Sequence, residues 1–408
     1  MRNFLMTGNM TKKLTMKWTL SILLGLLVSC SHSQSEESVE MLDAVDKSSV
    51  LDSLGLDMDV ARNSKFRFQF VATSFKQGKM NKSVSYGTDK YYYPASLVKL
   101  PAALVLLEIL NERRIPTTAF PEFDTINACG STKFVEICME HQVPFSQMLQ
   151  ELIVVSDNHF YNALYHFITP AELNARLNEK GFEGIKIYRA FTGCDKVDQL
   201  RTYPNKVDLG LYLERSSYHN AATEMDSTIL DEEYQYTEER LFGSKHENAD
   251  GDIIDGPYDL NYQIEIPLDQ MHQILLSFLY PNMVPEEQRW KITLADRKLL
   301  EEALGAYPSE IEESYRSLSR YKDDVYKYVQ NTEGYAEGRT FGKLGLSYGF
   351  ASETVYVPSE GVGNGVLLTY SVYVNSNDIV NDGEYDYETV ARPFAEALFS
   401  KILEWHKK

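Results

Sequence analysis

The chain has 408 residues, 43% of them hydrophobic, with 27 tyrosines and 19 phenylalanines. That is enough apolar material for one large domain or two smaller ones, and it argues against disorder over most of the length. The formal charge of −19 repels phosphate backbones and argues against nucleic acid as a partner.

Lys12, Lys13 and Lys17 form a basic stretch, followed by an apolar run over residues 18–28 and by Leu27-Val28-Ser29-Cys30. The run is too short to span a bilayer and reads as the core of a secretory signal. Its end resembles a bacterial lipobox, in which the cysteine becomes the lipidated first residue of the mature chain. That resemblance implies a signal peptide over 1–30, lipidation at Cys30 and an extracytoplasmic protein anchored in a membrane (periplasm, outer membrane or cell surface). Residues 1–30 hold Arg2 and three lysines and no acid, so a chain starting at Cys30 carries −23. Residues 31–60, polar and acidic at the start, read as a tether, and 61–408 as the folded domain. Cys129, Cys138 and Cys194 allow one disulfide in an oxidising compartment, with Cys129 and Cys138 the closer pair, or three buried thiols. No C-x-x-C or His/Cys cluster suggests a metal, and no cofactor is expected.

Residues 66–75 alternate apolar and polar side chains, the period of a strand, and a turn over 76–82 leads to a second strand from 83 to 87. Residues 97–110 are almost wholly apolar, the pattern of a helix buried on nearly all sides. Pro101 is tolerated only near the start of such a helix, which places its N-terminus close to Ser96. Helices are predicted over 145–155 and 158–167. Thr169-Pro170-Ala171-Glu172 is a capping-box pattern opening a further helix to about Lys180, stopped by Gly181.

Residues 224–259 carry twelve acids against Arg240 and Lys245. They read as the centre of an acidic surface insertion, placed at about 210–262. Asp250, Asp252 and Asp255 fail the spacing of an EF-hand loop. Helices follow at 264–279 and 294–304, strands at 354–357 and 366–374, and a closing amphipathic helix at 387–405. Strands at both ends of the chain with helices between them predict an α+β fold: one antiparallel sheet built from both termini, flanked by helices, with an inserted all-helical lobe.

Ser96-Leu97-Val98-Lys99 carries the first candidate chemistry. A hydroxyl is a poor nucleophile without a base, and Lys99, three residues on, shares its helix face. Burial lowers a lysine pKa and makes the neutral amine accessible. The helix N-terminus offers a backbone N–H for a developing oxyanion. Ser319-Arg320-Tyr321-Lys322 repeats the pattern in a charged segment without other support. Ser156-Asp157-Asn158 follows a predicted helix, and Lys343-Leu344-Gly345-Leu346 leads into Ser347, Tyr348 and a hairpin.

S-x-x-K, then S-D-N, then a lysine–glycine strand, in that order, resembles the class A β-lactamases and penicillin-binding proteins. The similarity extends to the helix at 169–181, to Leu294-Ala295-Asp296-Arg297-Lys298-Leu299-Leu300 and to the hairpin at 348–357. The resemblance implies a β-lactamase-like fold with the active site between sheet and lobe. It makes Ser96 the acylated nucleophile, Lys99 the base or part of its relay, and Ser156 the proton shuttle. Asn158 would hold the substrate amide, Lys343 an anionic carboxylate, and the N–H groups of Ser96 and Leu346, beside Gly345, the oxyanion. The implied ligand is a small β-lactam or a peptidoglycan stem peptide, and the implied state is a monomer.

Two departures stand out. Leu344 replaces the hydroxyl residue of the family's K-T-G, with Ser347 as a partial stand-in. The loop that carries the deacylating Glu in class A enzymes here reads Arg189-Ala190-Phe191-Thr192-Gly193-Cys194-Asp195. It lacks that Glu, with Asp195 and Asp198 as substitutes. The expected activity is a serine hydrolase working through a Ser96 acyl-enzyme, with slow deacylation. The alternatives are a D-Ala-D-Ala carboxypeptidase-like penicillin-binding protein and a catalytically weak surface binding lipoprotein.

Overall fold

The computed structural model describes residues 47–123, 143–191, 206–208, 218–219, 236–311, 327–332 and 339–408. Cys30, the three other cysteines, Asp195, Asp198 and Ser319 to Lys322 lie outside them. The described residues fall within the unit Met41–Lys408.

The framework is a five-stranded antiparallel sheet. Strand β1 (Gln69–Lys76) and β2 (Lys79–Tyr86) come from the N-terminal part of the chain. Strands β3 (Phe341–Ser347), β4 (Phe350–Pro358) and β5 (Gly365–Tyr373) come from the C-terminal part. The spatial order is β3-β4-β5-β1-β2, and β1 joins the two halves by pairing Gln69 with Ser371 through to Phe75 with Gly365. The first hairpin turns at Gln77 and Gly78, both at positive φ, the backbone that a two-residue turn between twisted strands demands. The turn is tighter than the residues suggest, and Asn81 already belongs to β2.

Alternation along the strands sorts side chains onto two faces. Phe70, Ala72, Val355, Val357, Leu368 and Tyr370 pack under helix α1 (Lys47–Leu54) and the C-terminal helix α8 (Arg392–Lys407). The opposite face, with Val71, Phe75, Phe350 and Leu367, meets the rest of the molecule. There lie α2 (Lys99–Glu112), α3 (Phe145–Val154), α4 (Asn158–Ile168), α5 (Pro170–Glu179), α6 (Leu268–Leu279) and α7 (Leu294–Gly305). Helix α2 is buried from Lys99 to Leu110, as an all-apolar helix must be.

Four expectations are adjusted. The helix predicted from Ile264 begins only at Leu268. Pro267 stands at its N-cap and disfavours helical backbone in the residue before it, so Ile264–Glu265 instead pairs with Lys186–Ile187. The lobe therefore carries short strand pairs, too brief to show a period, and is not all-helical. At α5, Thr169 accepts from the Glu172 N–H (3.2 Å), but the Glu172 carboxylate turns to Arg176 (2.7 Å), so only half the capping box forms. The reciprocal box sits at α7, between Thr293 and Asp296. Finally, the described part of the acidic segment is no detached excursion. Its hairpin tip at Ile253–Asp255 is exposed, but Phe242 and Leu260 are buried in the main core, with the Phe242 ring 5.0 Å from that of Phe350.

Candidate active site

Ser96 lies in a 3₁₀ turn (Ala95–Val98) that runs directly into α2. Ala95 has φ of 48°, a left-handed conformation that costs a non-glycine residue energy and recurs where function fixes the backbone. Ser156 has φ of 57° in the break between α3 and α4. The Asp157 carboxylate caps α4 by accepting from the N–H groups of His159 and Phe160 (2.7 and 3.0 Å), which fixes the loop that presents Ser156 and Asn158.

These two turns meet at one amine. Lys99 Nζ lies 3.2 Å from Ser96 Oγ, 3.0 Å from Ser156 Oγ, 2.6 Å from the Ser156 carbonyl oxygen and 2.6 Å from Asn158 Oδ1. Ser156 Oγ donates to Ser96 Oγ across 2.7 Å. The carbonyl of Ser156 and the amide oxygen of Asn158 can only accept, so they take two of the amine's protons. The third position faces the two hydroxyls. It donates when Lys99 is an ammonium and accepts a hydroxyl proton when it is neutral. Burial is the main force that pulls the Lys99 pKa well below the ordinary lysine value; the nearby Lys343 charge adds to it and Asp157 opposes it.

Strand β3 forms the other wall. A side chain on Gly345 would sit 2.6 Å from the Pro94 carbonyl and 3.0 Å from the Ser96 nitrogen, so this edge strand crosses the Ser96 turn at a distance only glycine permits. Leu346, next along, is half-buried. Lys343 is 1% exposed; burial brings its pKa down to about 7 against the pull of Glu353, and its Nζ donates to the Leu344 carbonyl (3.3 Å). Lys343, Gly345 and Ser347 share one face of β3, whereas Leu344 and Leu346 pack into the cluster on the other. Ser347 therefore cannot stand in for the hydroxyl missing at Leu344, because the two residues point to opposite faces.

Two residues without a local signature complete the site. Asn162, one turn beyond Asn158 on α4, clamps the backbone of Phe191. Its Nδ2 donates to the Phe191 carbonyl (3.1 Å) and its Oδ1 accepts from the Phe191 N–H (2.7 Å). The Phe191 ring is 5.1 Å from Lys99 Nζ. The one signal in the chain was the i, i+4 spacing of two asparagines after S-D-N.

The five-stranded sheet with the lobe packed on one face has the β-lactamase-like fold. Comparison agrees: the sequence model of the β-lactamase enzyme family matches residues 56–225. Among solved structures, a β-lactamase from Xanthomonas campestris pv. campestris aligns with TM-score 0.52 at 12% identity, over 88% of this chain and 99% of that one. A β-lactamase from Desulfarculus baarsii gives 0.51 at 13%, over 89% and 98%. The TLA-3 extended-spectrum β-lactamase gives 0.50 at 12%, over 89% and 100%. At such identities the likeness is one of fold. No curated protein matches the chain in sequence.

Proposed function

We propose that the protein is a serine acyl-enzyme hydrolase that opens a β-lactam or a related peptidoglycan acyl substrate on Ser96. The observation that carries this reading is the convergence of Ser96 Oγ, Ser156 Oγ and two fixed acceptors on Lys99 Nζ within 3.2 Å. Neutral Lys99 takes the Ser96 proton, directly or through Ser156, as Oγ attacks the substrate carbonyl. The N–H of Ser96 and that of Leu346 receive the oxyanion. The C–N bond breaks and Ser156 delivers the proton to the leaving nitrogen. Lys343 favours a substrate carboxylate, and Asn158 supports the amide side chain while its Oδ1 steadies Lys99.

Deacylation is slow in this reading. Among the described residues, the hydrogen-bond partners of Lys99 are hydroxyl, carbonyl and amide oxygens, and no carboxylate is one of them. That favours behaviour close to a penicillin-binding protein, which holds its acyl group, over rapid β-lactam turnover. The lipobox resemblance at Cys30 supports a lipid-anchored location outside the cytoplasm, and the reading takes the protein as a monomer. Incubation with a penicillin followed by intact-mass measurement tests the activity. One adduct on Ser96, absent in Ser96→Ala, is expected. No adduct together with no β-lactam hydrolysis overturns the reading in favour of a non-catalytic binding lipoprotein.

A further inference from the structure

We propose that Phe191 decides the lifetime of the acyl-enzyme: its ring, held beside Lys99, closes the side of the Ser96 ester from which an activated water would attack. The proposal rests on the acyl-enzyme reading and adds to it a residue and a physical cause.

The ring is placed by three contacts. Asn162 holds both polar groups of the Phe191 backbone (2.7 and 3.1 Å). The fully buried Tyr161 supports the ring from one side, with centroids 4.7 Å apart. Lys99 Nζ lies 5.1 Å from its centre, over the ring face. Asn162 stands on the helix that also supplies Asn158, so the clamp and the lysine's acceptor move together.

Hydrolysis of the ester needs a water whose oxygen adds to the carbonyl carbon while its proton passes to a base. The C–Oγ bond then breaks and Ser96 Oγ takes a proton back. A phenyl ring accepts no proton from water. It also occupies space beside Lys99, where a bound water needs two or more polar partners; among the described residues, Ser96 Oγ, Ser156 Oγ, the Ser156 carbonyl and Asn158 Oδ1 already bond Lys99 or one another. The same position can be given a base without disturbing the clamp, because Asn162 grips only the backbone of residue 191.

The test separates the two chemical steps by pulse-chase intact-mass measurement with benzylpenicillin on the whole chain and three variants. Phe191→Glu is expected to shorten the adduct lifetime by about 10²–10⁴-fold. Phe191→Gln, of the shape of Glu but without a base, and Phe191→Ala are each expected to shorten it only modestly, by admitting water. The adduct is formed before the chase, so the lifetime is read whatever the acylation rate, and far-UV circular dichroism with a cooperative melt certifies folding of each variant. An adduct whose lifetime is the same in Phe191→Glu and the parent overturns the role of Phe191 alone, as does rapid hydrolysis by the parent. No adduct in the parent or in any variant overturns the acyl-enzyme reading itself.

Discussion

Ser156 Oγ and Ser96 Oγ share a hydrogen bond of 2.7 Å, although 60 residues separate them in sequence. In the proposed mechanism the contact makes Ser156 a conduit between Ser96 and Lys99, which it reaches at 3.0 Å. Ser156→Ala removes the shuttle and leaves the direct Ser96–Lys99 contact of 3.2 Å in place. Acylation by a penicillin is expected to fall by about 10²–10⁴-fold with little change in melting temperature. An unchanged acylation rate would remove Ser156 from the mechanism.

In the proposed mechanism the active form of Lys99 is the neutral amine, so acylation should rise with pH as the ammonium is lost. Burial first, and the Lys343 charge second, hold that transition well below the ordinary lysine value. Lys343→Met deletes the repelling charge, which lets the Lys99 ammonium persist to higher pH. The rising limb of the acylation rate against pH should therefore move upward, whatever happens to its height through lost substrate binding. A limb that stays put or moves down refutes the electrostatic coupling.

The arrangement of the candidate site was legible where it is local. Ser96 and Lys99 are three residues apart on one helix, and Asp157 caps the next helix within its own tripeptide, so their types and spacing sufficed. The sheet was legible because Phe70 to Phe75 and Val366 to Val374 show apolar character at both ends of the chain. Phe191 was not, because its meaning lies in contacts with Asn162 and Lys99 that cross loops and that no periodicity encodes. The start of α6 was misplaced because Ile264 and Ile266 suit a strand or a helix equally well, and only tertiary pairing with Ile187 decides. The anchoring of the acidic segment was hidden because its charge dominates the composition while single apolar residues, Phe242 and Leu260, fix it to the core.

Helix α2 is tied to α5 by a buried ion pair, Lys180 Nζ to Glu108 Oε1 at 2.7 Å, with side chains 9% and 3% exposed. Glu108 also accepts from the Lys291 N–H (2.6 Å), and Lys180 donates to the Arg289 carbonyl (3.0 Å) beneath the Trp290 ring. Glu108→Ala strands a buried cation and a backbone donor together, and should reduce unfolding free energy by about 3–5 kcal/mol. Glu108→Gln/Lys180→Met, which removes both charges, should lose markedly less. Chemical denaturation of the three proteins measures both.

Membrane association is proposed from Cys30 and is testable without reference to activity. Cys30→Ser should move the protein from the membrane to the soluble fraction of an expressing bacterium and abolish incorporation of labelled fatty acid. Unchanged fractionation and labelling would refute the anchor.

The last prediction concerns stability against pH. Glu353 on β4 is fully buried. Its carboxyl accepts from the Tyr370 hydroxyl (3.1 Å, at Oε2) and from the backbone N–H groups of Val329 and Tyr328. Burial raises its pKa from 4.5 to about 7, against the opposing pull of Tyr370 and Lys327. In the folded protein the carboxyl therefore holds its proton to higher pH than in the unfolded chain. Between about 4.5 and 7 the native state binds more protons, so this group's contribution to stability falls as pH rises through that window and stays low above it. Lys327 and Lys343 act on the other side: burial brings both to about 7 from 10.5. The unfolded chain binds more protons above pH 7, and stability recovers as pH rises further. The two effects meet in a minimum near neutrality, superimposed on the rest of the protein's titration. Glu353→Gln keeps the shape and removes the acid, so it should abolish the decline between 4.5 and 7 while leaving the rise above 7. Unfolding free energies of parent and variant across that range test this, and parallel curves below pH 7 would show that Glu353 does not titrate there.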